Sequence, residues 1–165
     1  MKTRLLLFLL LSVGVVLTSC KKDDDEENNP GGSTPTPTQG TMNCKVDGTD
    51  WSASLAVVAT NSNGVFTVTG SDANAMQCQV TLMNVNGPGT YQIGGSMTNP
   101  NSGRWTASTD PADTYSSMLG QGSGTVEITV LTDTKTEGTF SFTAKNTAQT
   151  TVSVTQGSFS ADISQ

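Results

Sequence analysis

Apolar residues recur at every second position along most of the chain after residue 41, and this period constrains the fold more than any other feature. The clearest stretch has four such residues separated by polar ones: Met76, Cys78, Val80 and Leu82. Similar short stretches follow one another, with turn-forming pairs such as Asp47-Gly48 between them. A period of two places one set of side chains on one face of a β-strand. The pattern predicts about eight or nine strands.

The short links between these stretches favour antiparallel pairing, because a parallel pair needs a long crossover. We therefore expect an all-β domain over residues 42–165, folded as an antiparallel β-sandwich or a flattened β-barrel. In the last stretch the inward positions change parity, from Val152 and Val154 to Phe159 and Ala161. Gln156 and Gly157 lie at the change, which predicts a β-bulge there.

Residues 1–19 have the composition of an export signal. Lys2 and Arg4 precede an apolar run over residues 5–17, which is shorter than the roughly 20 residues of a transmembrane helix. The run leads into Leu17, Thr18, Ser19 and Cys20, a sequence that resembles the lipobox of bacterial lipoproteins. The resemblance implies cleavage before Cys20 and a lipid anchor on its sulfur, so that the membrane is a partner. A plain secretory signal with an incidental cysteine is the alternative.

The segment over residues 20–41 is predicted to be a disordered tether. Its lysines at 21 and 22 are followed by five consecutive acids, a run that resembles the surface-export signal of lipoproteins in Bacteroidota. That resemblance implies an outer-membrane protein exposed at the cell surface, with a periplasm-facing location as the alternative. Residues 28–39 contain no large apolar side chain and three prolines, so they cannot bury enough surface to fold.

Several structural motifs resemble an uncharacterised family of small all-β lipoproteins of Bacteroidota. The opening hairpin is residues 45–53 (KVDGTDWSA), and the match resumes at residues 89–91 (GTY). It is strongest at residues 124–129 (GTVEIT), 137–144 (EGTFSFTA) and 154–159 (VTQGSF). The resemblance implies the fold and the location, and it transfers no catalytic residue. Residues 58–88 and 95–123 depart from the family pattern, so we expect any specific binding surface there.

Charge and composition argue against several classes of function. The chain has a net charge of −6, and a domain of that sign repels nucleic acid. Histidine is absent, which excludes Ser-His-Asp and Cys-His catalysis and the usual zinc ligands. We therefore predict that the protein is not an enzyme and has no cofactor and no metal site.

Cys44 and Cys78 both fall on inward phases of their strands. Outside the cytoplasm they could form a disulfide. The alternative is two separate small core residues. The sequence leaves both readings open.

Exposed aromatic rings would indicate a sugar-binding surface. Trp51 and Tyr91 lie in structural motifs and are expected in the core. Trp105, with Arg104 and Tyr115 nearby, lies in a Gly/Ser-rich segment and is the better candidate for ligand binding. The sequence thus supports two functions: a surface-anchored, non-enzymatic structural or interaction module with an unidentified protein ligand, or a carbohydrate-binding module.

Overall fold

The computed structural model describes residues 40–164, so the predicted signal peptide, Cys20 and the predicted tether up to residue 39 lie outside the described residues. The described part consists of β-strands and two short 3-10 helices, Pro111–Asp113 and Met118–Gly120. The strands are β1 (Thr41–Val46), β2 (Thr49–Ser52), β3 (Ala56–Ser62), β4 (Val65–Ser71), β5 (Gln77–Met83), β6 (Gly89–Gly94), β7 (Ser102–Thr106), β8 (Thr114–Ser116), β9 (Ser123–Leu131), β10 (Lys135–Lys145) and β11 (Thr151–Ser164). Residues 40–164 include no helix that is long and apolar enough to span a membrane.

The strands form two layers that face each other. One layer has the order β2-β1-β11-β10-β9-β6, and the other has the order β3-β4-β5-β7-β8. They are joined where Ile163 of β11 pairs with Ala59 of β3, and where Ser116 of β8 pairs with Lys145 of β10. These junctions close the sheet on itself as a flattened barrel, which confirms the predicted all-β class. The β11–β3 contact is parallel, unlike all the other pairings among the described residues.

The structure has eleven strands, more than the eight or nine predicted. The alternating apolar residues in 51–57 predict a single strand, but β2 ends at Ser52 and β3 begins at Ala56. The chain changes layer between them, from pairing with β1 to pairing with β4, and it leaves Leu55 64% exposed. Strand β8 was also missed, because only Tyr115 in that segment carries a large side chain that points toward the core.

The predicted bulge at residues 156 and 157 is confirmed. Phe140 pairs with Gly157, and Phe142 two residues later pairs with Val154, so β11 contains one extra residue. Gln156 takes up the extra step with φ at 52°, in the left-handed region. The bulge changes which residues point inward, and both Val154 and Phe159 are buried as a result.

The core lies between the two layers and is continuous from end to end. Phe66 of one layer packs against Phe159 of the other, with ring centroids 6.3 Å apart. The chain enters the domain at Thr41, which pairs with Ser160. The opposite end of the same layer is marked by Gly94, which pairs with Ser123. The point of entry and the candidate site described below therefore lie at opposite ends of this layer.

Candidate functional site

Three exposed apolar side chains lie at the barrel end opposite the entry of the chain. Met97 is 75% exposed, Leu119 57% and Met118 43%. Met97 belongs to the segment 95–101 between β6 and β7, and the other two belong to the 3-10 helix Met118–Gly120. We call these two segments together the loop end. Large apolar residues grouped at one end of a domain are typical of a surface that another molecule covers.

Hydrogen bonds fix the backbone of the loop end. The Gly95 N–H donates to the Gly122 carbonyl at 2.7 Å, which joins the two segments. The side-chain amides of Asn99 and Asn101 both donate to the Gln92 carbonyl, at 3.1 and 3.0 Å. A surface held in this way loses little conformational entropy when a partner binds, and this favours affinity.

Leu119 is held in a left-handed conformation, with φ at 54° and ψ at 36°. This conformation costs an L-residue other than glycine about 1 kcal/mol, and asparagine tolerates it best. A leucine that combines backbone strain with solvent exposure contributes little to the stability of the fold. Strained and exposed positions of this kind are concentrated at functional sites.

A polar recess of about 300 Å³ adjoins the loop end. Thr114, Gln121, Lys145 and Asn146 lie in its lining. The Oε1 atom of Gln121 is buried and has no hydrogen-bond partner among residues 40–164. An unpaired buried acceptor costs about 1–3 kcal/mol, and a bound donor would recover that energy.

The loop end is uncharged in a chain that is otherwise acidic. No Asp, Glu, Lys or Arg occurs in residues 95–103 or in residues 116–126. Arg104 and Glu127 are the first charged residues beyond these stretches. The two segments themselves therefore offer apolar contact and neutral hydrogen bonds, and the nearest charge is that of Lys145 in the adjoining recess.

The three residues predicted for ligand binding do not form one surface. Trp105 is only 4% exposed and packs edge-on against Trp51, with ring centroids 5.2 Å apart. Tyr115 pairs with Trp105 across β7 and β8 and packs against the core, whereas Arg104 points outward. Trp105 is buried because it lies on the inner face of β7, where it meets Trp51 of the other layer. The expectation of an exposed stacking platform at Trp105 was wrong.

Cys44 and Cys78 are both buried, and their thiols form a hydrogen bond with each other. The hydrogen bond from Cys78 lowers the pKa of Cys44, and it does so against the effect of burial. The same hydrogen bond and burial raise the pKa of Cys78 well above its ordinary value. The two inward cysteines are therefore neighbours in the core, a relation that the sequence could not provide.

A comparison with family models identifies the domain. Residues 38–161 match the model described as Domain of unknown function (DUF6252). The chain belongs to the DUF6252 family. The DUF6252 region includes the loop end, the two core cysteines and the bulge in β11. No curated protein and no solved structure matches the chain. The family has no assigned function, which agrees with the predicted resemblance to an uncharacterised family.

The DUF6252 domain also carries a groove of about 430 Å³ on its outer face. Hydroxyl groups from β6, β9, β10 and β11 line it, together with Glu127. Residues 40–164 contain no group of three or more His, Cys, Asp or Glu side chains that could hold a metal ion. Glu127 is the one carboxylate in the lining of this groove, and the paired carboxylates of glycoside hydrolysis require two.

Proposed function

We propose that this protein is a lipid-anchored interaction module, displayed on the cell surface of a member of the Bacteroidota and without enzymatic activity. The observation that carries the proposal is the sequence Leu17, Thr18, Ser19 and Cys20 directly after a basic start and an apolar run. Acyl chains on Cys20 would bind the bilayer strongly, because each buried methylene contributes about 0.8 kcal/mol. The acidic run over residues 23–27 supports export to the outer surface.

Metabolic labelling with an alkyne palmitate tests the anchor. We expect the full chain, expressed in a bacterium that processes lipoproteins, to be labelled and to begin at Cys20. The Cys20→Ala variant should carry no label, whereas Cys44→Ala and Cys78→Ala should be labelled like the wild type. A chain that keeps Met1 and carries no fatty acid contradicts the proposal.

Protease treatment of intact cells tests surface display against the periplasm-facing alternative. We expect the wild-type domain to be released from intact cells. In a variant with residues 23–27 replaced by alanine, we expect palmitate labelling to continue and release to be lost. Protection of the wild-type domain until the outer membrane is opened would assign it to the periplasmic face.

The loop end is the proposed binding surface, and a protein with an apolar, uncharged surface is the proposed partner. Met97 and Leu119 supply exposed apolar side chains on a hydrogen-bonded backbone. Thr41 pairs with Ser160, at the opposite end of the layer from Gly94 and Ser123. The loop end therefore lies at the far side of the domain from the point where the chain enters it.

Photo-crosslinking on intact cells tests this surface. A crosslinking amino acid at position 97 or 119 should give an adduct with the same protein. The same group at Thr134, an exposed position in the turn that joins β9 to β10, should give none. Leu119→Asn, which removes the apolar side chain and suits the left-handed backbone, should abolish the adduct formed from position 97. Adducts with lipid, or with the same proteins at all three positions, contradict the proposal.

Carbohydrate binding is the alternative function, and the burial of Trp105 weakens it. A glycan array with the lipidated protein in detergent distinguishes the two functions. Specific glycan binding that Gln121→Ala abolishes would favour the carbohydrate-binding module. Signals that are absent, or unchanged by that substitution, agree with the interaction module.

A further inference from the structure

We propose that Cys44 and Cys78 are a modification site, at which a small-molecule or protein disulfide oxidises the two thiols to an intramolecular disulfide that joins the two layers of the barrel. Strand β1 belongs to one layer and β5 to the other. The bond would therefore link segments that are not hydrogen-bonded neighbours in the sheet. The inference concerns the core and does not depend on the loop end.

Two cross-strand pairs, each made of one cysteine and one tryptophan, support this inference. Cys44 pairs with Trp51 across β1 and β2, and Cys78 pairs with Trp105 across β5 and β7. The two tryptophan rings make an edge-to-face contact across the interior, with centroids 5.2 Å apart. Each cysteine lies beside one ring of this contact, so the same interior contact brings the thiols together. The effect of each thiol on the pKa of the other agrees with that proximity.

The environment of the two thiols assigns different roles to them. Cys44 is the nucleophile, because the hydrogen bond from Cys78 stabilises its thiolate and lowers its pKa. Cys78 retains its proton longer, because burial and the neighbouring sulfur raise its pKa. The Cys44 residue is also slightly exposed, whereas Cys78 is fully buried. Strand β2, which pairs only with β1, is the covering element whose opening exposes Cys44.

The chemical step is a double exchange. The Cys44 thiolate attacks one sulfur of the external disulfide, forms a mixed disulfide and releases the other sulfur as a thiolate. Cys78 then loses its proton and attacks the Cys44 sulfur, which releases the second external thiolate. Two electrons pass to the external disulfide, and the two protons from the cysteines end on its two thiols. The oxidised protein has lost two hydrogen atoms.

Oxidised glutathione tests the site on the purified full chain carrying Cys20→Ala. This substitution removes the third thiol, so the result does not depend on lipidation and is independent of the anchoring test. Mass spectrometry should show the loss of two hydrogens and a non-reduced peptide that links Cys44 to Cys78. The oxidised protein should melt about 10 °C above the protein in dithiothreitol, as expected for closing a loop of this length.

Single variants provide the controls. Cys78→Ser should stop at a stable glutathione adduct on Cys44, and Cys44→Ser should react much more slowly. Neither variant should show a melting temperature that depends on dithiothreitol. Two thiols that stay free under oxidised glutathione, or two glutathione adducts on one chain, would overturn the inference. A melting temperature that dithiothreitol shifts equally in the single variants would also overturn it.

Discussion

Gly157 lies directly opposite Phe140 across β10 and β11, and a Cβ atom added to Gly157 would stand 2.4 Å from a carbon of the Phe140 ring. The ring covers the bare glycine and packs with Phe142 and Phe159, whose centroids are 6.2 and 6.3 Å from its own. This contact explains why the bulge in β11 requires glycine at its second position, where the backbone itself is not left-handed.

Gly157→Ala should therefore destabilise the domain by about 2–3 kcal/mol, as expected for overpacking a filled core. Urea denaturation followed by tryptophan fluorescence measures the change. In the Phe140→Leu background the same substitution should cost less, because the smaller side chain leaves space for the methyl group. Equal costs in both backgrounds would show that contact with the ring is not the cause.

Gln156, the first residue of the bulge, adopts a left-handed backbone at φ 52°. Gln156→Gly should raise the free energy of unfolding by about 0.5–1 kcal/mol, because relief of the strain exceeds the added entropy of the unfolded chain. The matched control is Thr155→Gly, at an exposed strand position next to it. That change should lower stability by about 0.5–1 kcal/mol. A loss of stability in both variants would contradict the argument from strain.

Asp72 is a buried carboxylate that organises the turn between β4 and β5. It accepts hydrogen bonds from the Trp51 indole at 3.0 Å and from the backbone N–H groups of Asn74 and Met76 at 2.9 Å. Asp72→Ala should cost about 3 kcal/mol in unfolding free energy, since it removes the acceptor of the buried Trp51 indole and of two backbone N–H groups in the turn. Asp110→Ala removes a similar turn contact at an exposed site and should cost about 1 kcal/mol. Similar losses in the two variants would contradict this ranking.

Glu137 and Lys135 form an exposed ion pair on β10. The hydrogen bond and the charge of Lys135 lower the pKa of Glu137, and the same contact raises the pKa of Lys135. A lowered carboxyl pKa contributes stability above the unfolded pKa, and that contribution is lost as the pH falls through the folded value. A raised amine pKa contributes stability below the unfolded value, lost as the pH rises through the folded one.

NMR titration of the Glu137 side chain measures this effect. Lys135→Met should raise the pKa of Glu137 toward the ordinary value of about 4.3. Lys145→Met, at the other end of the same strand, should leave it unchanged. Because both partners are exposed, we expect little change in the melting temperature of either variant. A Glu137 pKa that does not respond to Lys135→Met would contradict the assigned cause.

Most strands were predictable because burial of one face places an apolar residue at every second position of the sequence. The bulge was predictable as well, since the inward parity changes at Gln156 and Gly157. The break after Ser52 was not, because Leu55 continues the alternation although it is exposed. The strand ends there because the chain stops pairing with β1 and begins to pair with β4. The local sequence does not indicate which strand a segment pairs with.

The candidate site was located only in outline. The region expected to hold the specific surface, residues 95–123, includes the loop end, but Trp105, the aromatic residue chosen within it, is buried. Trp105 is buried because it meets Trp51 of the other layer, an arrangement that depends on residues far apart in the sequence. Leu119 is exposed in a left-handed turn. A rule that ranks residues by hydrophobicity places both in the core, which is correct for Trp105 and incorrect for Leu119.

The entry of the chain at Thr41 has a mechanical consequence. Tension applied to the chain at Thr41, against a restraint at the far end of the layer, would act along β1, parallel to its length. Strand β1 pairs with β11 on one side and with β2 on the other. A pull in this direction loads both rows of hydrogen bonds in shear, so that they must fail together and do not open one by one.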